Sequence, residues 1–210
     1  MQVMETIAIY WGAFNPPTIW HRDVISKLLI QNKVSKIIFS PDWQRADKDY
    51  KITFSQRCEM LEIFFKELKN QWLNVEFDDY FLKRSWNTTT MQVEEYFSKK
   101  LWFQPSHIFW IDTINNMPNR LENRHRYIEE RLKKIFILRK GFVLPEKIDM
   151  ENYFMYDLDI LEISSTTVRE MIRNKWKVDH ILTPEIHRYI KENNLYRNEK
   201  LCWKNSKEKL

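Results

Sequence analysis

Short apolar runs alternate with stretches of helical period along most of this chain, and that alternation admits few folds. Residues 7–10, 36–39, 75–80, 108–111 and 135–138 read as buried strands, and residues 160–163 as a sixth. The segments between them carry apolar side chains at helical spacing. The first has Val24, Ile25, Leu28 and Leu29; the second has Met60, Leu61, Phe64, Phe65 and Leu68, with Ser55 in the capping position; the third runs from Thr89 through Val93, Tyr96 and Phe97. Strands separated by helices lie parallel in one sheet, and the helices cover both of its faces. The predicted fold is therefore α/β, with a parallel sheet of five or six strands and a C-terminal helical segment. Residues 166–196 read as helix throughout, with a strong start at Thr183, Pro184 and Glu185 and a buried face of Ile186, Tyr189 and Ile190. Ligands of such sheets bind beyond the carboxyl ends of the strands, so chemistry is expected in the loops after Tyr10, Phe39, Ile111 and Leu138.

The 210 residues suit one domain, expected over residues 1–196, followed by a basic tail at residues 197–210 with Lys200, Lys204, Lys207 and Lys209. The longest apolar runs are only a few residues, as at Ile37, Ile38 and Phe39, and residues 1–5 show no basic region followed by an apolar one. Neither a membrane partner nor a secretory signal is expected. Cys58 and Cys202 make neither a disulfide framework nor a metal-ligand spacing, which suits a reduced, cytoplasmic protein. The formal net charge of +5 fits a phosphate-rich small ligand, a nucleic acid, or simply a solvated surface rich in lysine. Glycine is scarce: Gly12 and Gly141 are the only two, against an average usage of roughly 7%. Each is expected where the backbone demands it.

Two motifs carry chemistry. Gly12, Ala13, Phe14, Asn15, Pro16, Pro17, Thr18, Ile19, Trp20 and His21 leave a strand, turn and enter a helix. Backbone N–H groups in such a turn, with a helix N-terminus behind them, make an anion site. Thr18 and His21, three apart, can address the same phosphate. The same residues also fit an ordinary strand–turn–helix with His21 on the surface. The second motif is Ile163, Ser164, Ser165, Thr166, Thr167, Val168 and Arg169. Hydroxyls at a helix start followed by an arginine on the first turn suit a polyphosphate clamp. They equally suit a plain N-cap, and Thr167 with Glu170 has the spacing of a capping box.

Taken together and in this order, the two motifs resemble the signatures of the nucleotidyltransferase superfamily with (H/T)xxH and ISSTxxR patterns, whose domain is Rossmann-like. Phe14-Asn15-Pro16 and the Thr18-x-x-His21 pair are similar to the nicotinate/nicotinamide mononucleotide adenylyltransferases in particular, and residues 182–196 to the C-terminal helix of the bacterial nicotinate enzymes. Lys48 stands where those enzymes have the lysine of a His-Lys pair, with Asp47 in place of the histidine. Arg57 with Met60 and Leu61 matches the start of the following helix. Trp86-x-x-Thr89 resembles their Trp-x-x-Thr, and Arg139 with Gly141 their Arg-x-Gly. Asp112 occupies the aspartate of a Gly-x-Asp loop whose glycine is here Trp110, and Trp20 stands where relatives often carry glycine.

The resemblance implies adenylyl transfer from ATP to nicotinate or nicotinamide mononucleotide in NAD biosynthesis, with Mg²⁺ bound with ATP. It implies catalytic roles for His21, Thr18, Lys48 and Arg169. ATP would be held by Gly12, Ala13, Phe14, His21, Arg139, Ser164, Ser165, Thr166 and Arg169. The mononucleotide would be held by Asn15, Lys48, Arg57, Trp86, Thr89, Trp110 and Asp112. These small molecules, rather than nucleic acid, are the expected partners, and a homo-oligomer is left open. The competing expectations are a phosphopantetheine or cytidylyl transferase of the same superfamily and a non-catalytic nucleotide- or RNA-binding relative.

Overall fold

A computed structural model describes residues 6–43, 51–84, 88–111, 113, 133–138, 153–159 and 163–197. Lys48, Trp86, Asp112, Arg139, Gly141 and the tail from residue 198 lie outside the described residues. The strands are β1 (Ile7–Gly12), β2 (Lys36–Pro41), β3 (Val75–Phe77), β4 (Ser106–Trp110), β5 (Lys134–Ile137) and β6 (Tyr153–Tyr156). The helices are α1 (Ile19–Ile30), α2 (Phe54–Asn70), α3 (Thr90–Leu101), α4 (Ser165–Arg173) and α5 (Pro184–Glu192).

All strand pairs are parallel, in the order β3-β2-β1-β4-β5-β6. The chain builds outward from β1 to β3, then returns to the other side of β1 to lay down β4. The order therefore reverses between β1 and β4, which leaves a crevice beyond their carboxyl ends. Side chains alternate across the sheet. Ala8, Tyr10, Ile37, Phe39, Ile108, Ile135 and Ile137 meet Val24, Ile25 and Leu28 of α1, Met60, Leu61 and Phe64 of α2, Val168 and Ile172 of α4, and Ile186 and Ile190 of α5. On the opposite face Ile7, Ile9 and Ile38 pack with Phe81 and with Val93 and Phe97 of α3. Among the described residues no helix is long and apolar enough to cross a membrane.

The fold class is as predicted, and four local expectations change. Among the described residues the sixth strand is Tyr153–Tyr156, paired with β5; of the expected strand at 160–163, residues 160–162 lie outside the described residues and Ile163 is in no strand. β3 ends at Phe77: Asp78 N–H makes the last ladder bond, to the Phe39 carbonyl, and the Asp78 carboxylate then takes the Tyr80 N–H and turns the chain away. The cap of α2 is Thr53, not Ser55: Thr53 accepts the Gln56 N–H, and Gln56 returns its carbonyl to the Thr53 N–H, a reciprocal box that satisfies two orphan donors. Residues 174–183 break what was expected to be continuous helix. Asn174 ends α4, Lys175 follows at φ 59, and Thr183 with Pro184 starts α5 afresh. Val178, Ile181 and Leu182 of this connection are buried, so they mimic a helical face without forming one.

Candidate active site at the carboxyl ends of strands β1 and β4

The turn from β1 into α1 is held by its own carbonyls. Gly12 C=O accepts the Asp42 N–H at 2.8 Å. Ala13 C=O accepts both Nε and Nη2 of Arg57, at 2.9 and 2.7 Å. Asn15 C=O accepts Nη1 of Arg169 at 2.7 Å, and Pro16 C=O accepts the Ser165 hydroxyl at 3.0 Å. In a trans peptide plane the N–H points opposite to the carbonyl. Drawing the Gly12 and Ala13 oxygens onto Asp42 and Arg57 therefore turns the Ala13 and Phe14 N–H groups away from these partners, as an anion site requires. The Asn15–Pro16 bond is cis.

Phe14 explains Gly12. Phe14 has φ 45, and its buried ring lies over the glycine, where an added Cβ would stand 3.2 Å from Phe14 Cζ. The close approach that glycine permits is thus to Phe14 itself. The same ring meets Phe39 at 4.4 Å, Tyr10 at 5.2 Å and His21 at 5.1 Å between centroids.

Thr18 is the N-cap of α1, and His21 fills the third helical position, where a glutamate or glutamine normally completes a capping box. His21 Nδ1 accepts the Thr18 N–H at 3.0 Å and lies 2.8 Å from the Thr18 hydroxyl. A nitrogen that accepts the backbone N–H carries no proton, so the neutral ring holds its hydrogen on Nε2. Desolvation by the surrounding protein pushes the His21 pKa down from 6.5 to about 3. The hydrogen bond from Thr18 argues in the same direction. His21 at neutral pH is therefore an uncharged donor through Nε2–H.

This has a consequence for stability. Between about pH 6.5 and 3 the unfolded chain binds a proton at His21 that the folded chain does not. Stability should accordingly fall as pH drops through that window, by up to about 1.4 kcal/mol per pH unit from this group. Urea-unfolding midpoints measured from pH 7.5 down to 4.5 should decline less steeply in His21→Gln than in wild type. Parallel declines would show that His21 is not held neutral by the fold.

The second motif lies against the first. Ser164 caps α4 by accepting the Thr167 N–H at 3.1 Å, so the cap is Ser164 and not Thr167. Arg169 spans the two motifs: Nη1 reaches Asn15 C=O and Nη2 reaches the Thr166 hydroxyl at 3.2 Å. The first N–H of α1, at Ile19, donates to Ile181 C=O at 2.9 Å, in the connection between α4 and α5. Gly12, Ala13, Phe14, Thr18, His21, Ser164, Ser165, Thr166 and Arg169 are thus brought to one place.

Other predicted site residues have more structural surroundings. Arg57 is fully buried under the turn, with its fork on Ala13. Asn15 is buried as well, and its Oδ1 accepts the hydroxyl of Tyr196. Thr89 is the N-cap of α3, in a reciprocal box with Gln92. Trp110 ends β4 and lies edge-to-face with Trp20, 4.5 Å between centroids. Tyr196 was not anticipated. It is buried at φ 63, 181 residues from Asn15 in the chain, and only the similarity of residues 182–196 to the bacterial C-terminal helix hinted at it. Among the described residues no group of three or more His, Cys, Asp or Glu side chains converges as a metal cage.

The sequence profile of the cytidylyltransferase-like family matches residues 9–171. Curated relatives include the nicotinate-nucleotide adenylyltransferase of Bacillus subtilis, 25% identical over 93% of this chain and 100% of its own. Another is the probable nicotinate-nucleotide adenylyltransferase of Carboxydothermus hydrogenoformans, 29% identical over 91% of this chain and 98% of its own. Among solved structures, the fold is similar to Plasmodium falciparum nicotinic acid mononucleotide adenylyltransferase complexed with NaAD. That comparison has a TM-score of 0.73 and 22% identity, and covers 91% of this chain and 97% of the other.

Proposed function

The chain belongs to the cytidylyltransferase-like family, and within it we propose that this member transfers the adenylyl group of ATP to nicotinate mononucleotide, forming deamido-NAD and pyrophosphate. The observation that carries this reading is the Arg169 guanidinium bridging Asn15 and Thr166, which sets the hydroxyl-rich start of α4 against the turn that ends in His21. The names of the aligned relatives support the pyridine acceptor.

A phosphate oxygen of the mononucleotide attacks the α-phosphorus of ATP, the bond to the β-phosphate breaks, and pyrophosphate leaves. The nucleophile is already an anion, so no general base is required, and the protein contributes positioning and charge stabilisation. Nε2–H of His21 donates to an α-phosphate oxygen as charge builds there. Thr18 fixes the His21 tautomer, and the N–H groups of Ala13 and Phe14 face the same phosphate. Arg169 and the hydroxyls of Ser164, Ser165 and Thr166 hold the rest of the triphosphate. Lys48 and Arg139 are proposed to add positive charge, and Trp86, Thr89 and Asp112 to contact the acceptor. Mg²⁺, which neutralises phosphate charge when bound, would be held mostly through the triphosphate and water. A cytoplasmic site of action is proposed, in keeping with two cysteines that make no disulfide framework.

Pyrophosphate release with ATP should be fast with nicotinate mononucleotide, slower with nicotinamide mononucleotide, and negligible when CTP replaces ATP. Turnover with CTP or phosphopantetheine instead, or none with either pyridine mononucleotide, would overturn the assignment.

A further inference from the structure

Trp20 and Trp110 are far apart in sequence, yet they pack together. Trp20 is the second residue of α1, next to His21, and only 6% exposed. Trp110 is the last residue of β4 and partly exposed. Their rings meet at 85° with centroids 4.5 Å apart, a favourable edge-to-face contact. Ala8 pairs with Ser106 and Ile9 with His107, so continuing the register brings Trp110 level with Gly12, across the β1/β4 crevice. By strand alternation Trp110 lies on the face of Ile108 and Tyr10, which α1 covers. The Trp110 indole is thereby held at the point where the strand order reverses, in contact with Trp20, the residue next to the histidine assigned to the α-phosphate.

We propose that Trp110, braced by Trp20, is the aromatic wall on which the adenosine of ATP seats, and that the pair sets the preference for a purine nucleotide. The inference rests on the adenylyl-transfer reading. Adenosine is the nucleoside attached directly to the α-phosphate beside His21. The acceptor attacks in line opposite the leaving pyrophosphate and brings its own nucleoside in with the attacking phosphate. Trp110, contacting the neighbour of His21, is therefore placed with ATP rather than with the mononucleotide to which the resemblance assigned it. A purine presents a larger π-face to the indole than a pyrimidine does, and the contact with the buried Trp20 ring packs one side of the wall. Trp20 is a positioning residue that acts through Trp110.

Steady-state kinetics on the full chain test this, beginning with wild type on ATP and nicotinate mononucleotide. No wild-type turnover there would count against adenylyl transfer itself. Given turnover, Trp110→Ala should raise the ATP KM about tenfold or more, leave the mononucleotide KM within about twofold, and lower the ATP-to-CTP ratio of kcat/KM. Trp110→Phe should recover most of the loss. Trp20→Ala should move the ATP KM in the same direction, and the double variant should be no worse than Trp110→Ala alone, because the two act as one unit. Trp20→Phe, which keeps apolar bulk, covers the case in which Trp20→Ala does not fold. An unchanged ATP KM in Trp110→Ala, a change confined to the mononucleotide KM, or additive effects in the double variant would each overturn the proposal.

Discussion

Replacing His21 with alanine is expected to lower kcat/KM by about 10²–10³-fold, the scale of removing one preorganised donor from a developing oxyanion. Two properties of His21 are lost together in that variant. Nε2–H disappears from the phosphate site, and Nδ1 no longer accepts the Thr18 N–H. The second loss is that of a helix cap and should cost about 1 kcal/mol of stability. His21→Gln separates them, because a glutamine carbonyl at this helical position can close the box to Thr18, as Gln56 does for Thr53 and Gln92 for Thr89. His21→Gln should therefore unfold close to wild type and still lose activity by more than about tenfold. Urea unfolding and steady-state rates on the three proteins decide the matter. Activity in His21→Ala within about threefold of wild type would remove His21 from the chemistry. An activity loss that merely followed the unfolded fraction would reduce it to a cap.

The double duty of His21 also bears on what could be read from the sequence. Thr18-x-x-His21 was visible as a spacing, but a spacing does not say which ring nitrogen is engaged; that follows from the Thr18 N–H contact alone. Strands β1, β2, β4 and β5 were legible because each is a short apolar run interior to the sheet. β6 was not. Tyr153, Phe154, Met155 and Tyr156 are themselves an apolar run, but only four residues long, and among the described residues the strand pairs with β5 alone and leaves Phe154 42% exposed, so its place in the sheet rests on that pairing rather than on a local pattern. Residues 160–163 looked more strand-like, yet Ile163 leads directly into the Ser164 cap. The break at residues 174–183 was hidden for a related reason: Val178, Ile181 and Leu182 are buried at helix-like intervals in a chain whose backbone has already turned at Lys175. Local pattern reports burial more faithfully than it reports conformation.

Contacts between distant segments lie beyond any local pattern. Tyr196 on Asn15, Arg169 on Asn15 and Arg57 on Ala13 close the same turn from three parts of the chain. The resemblance assigned Arg169 to ATP and Asn15 and Arg57 to the mononucleotide, and gave Tyr196 no role; these contacts make each of them a support of the turn as well. For Arg57 the structure gives an answer that can be measured.

Arg57→Ala is expected to cost about 3–5 kcal/mol, the combined scale of a buried carbonyl left without its donors and of the cavity left by a large side chain. Arg57 is fully buried, and two of its N–H groups converge on one carbonyl, Ala13. Truncation leaves that oxygen without its donors and opens a cavity behind the turn. Against a total stability of about 5–15 kcal/mol, such a loss would leave a fraction unfolded at working temperature. Arg57→Lys should fall between the two, at about 1–2 kcal/mol, since an ammonium retains the charge but cannot present the fork. Urea midpoints measure these costs, and KM values for the folded fraction show whether a ligand contact is lost as well. A support acting through the turn should disturb both substrates, because Phe14, Thr18 and His21 follow from it. A cost below about 1 kcal/mol together with a raised mononucleotide KM alone would instead return Arg57 to the ligand.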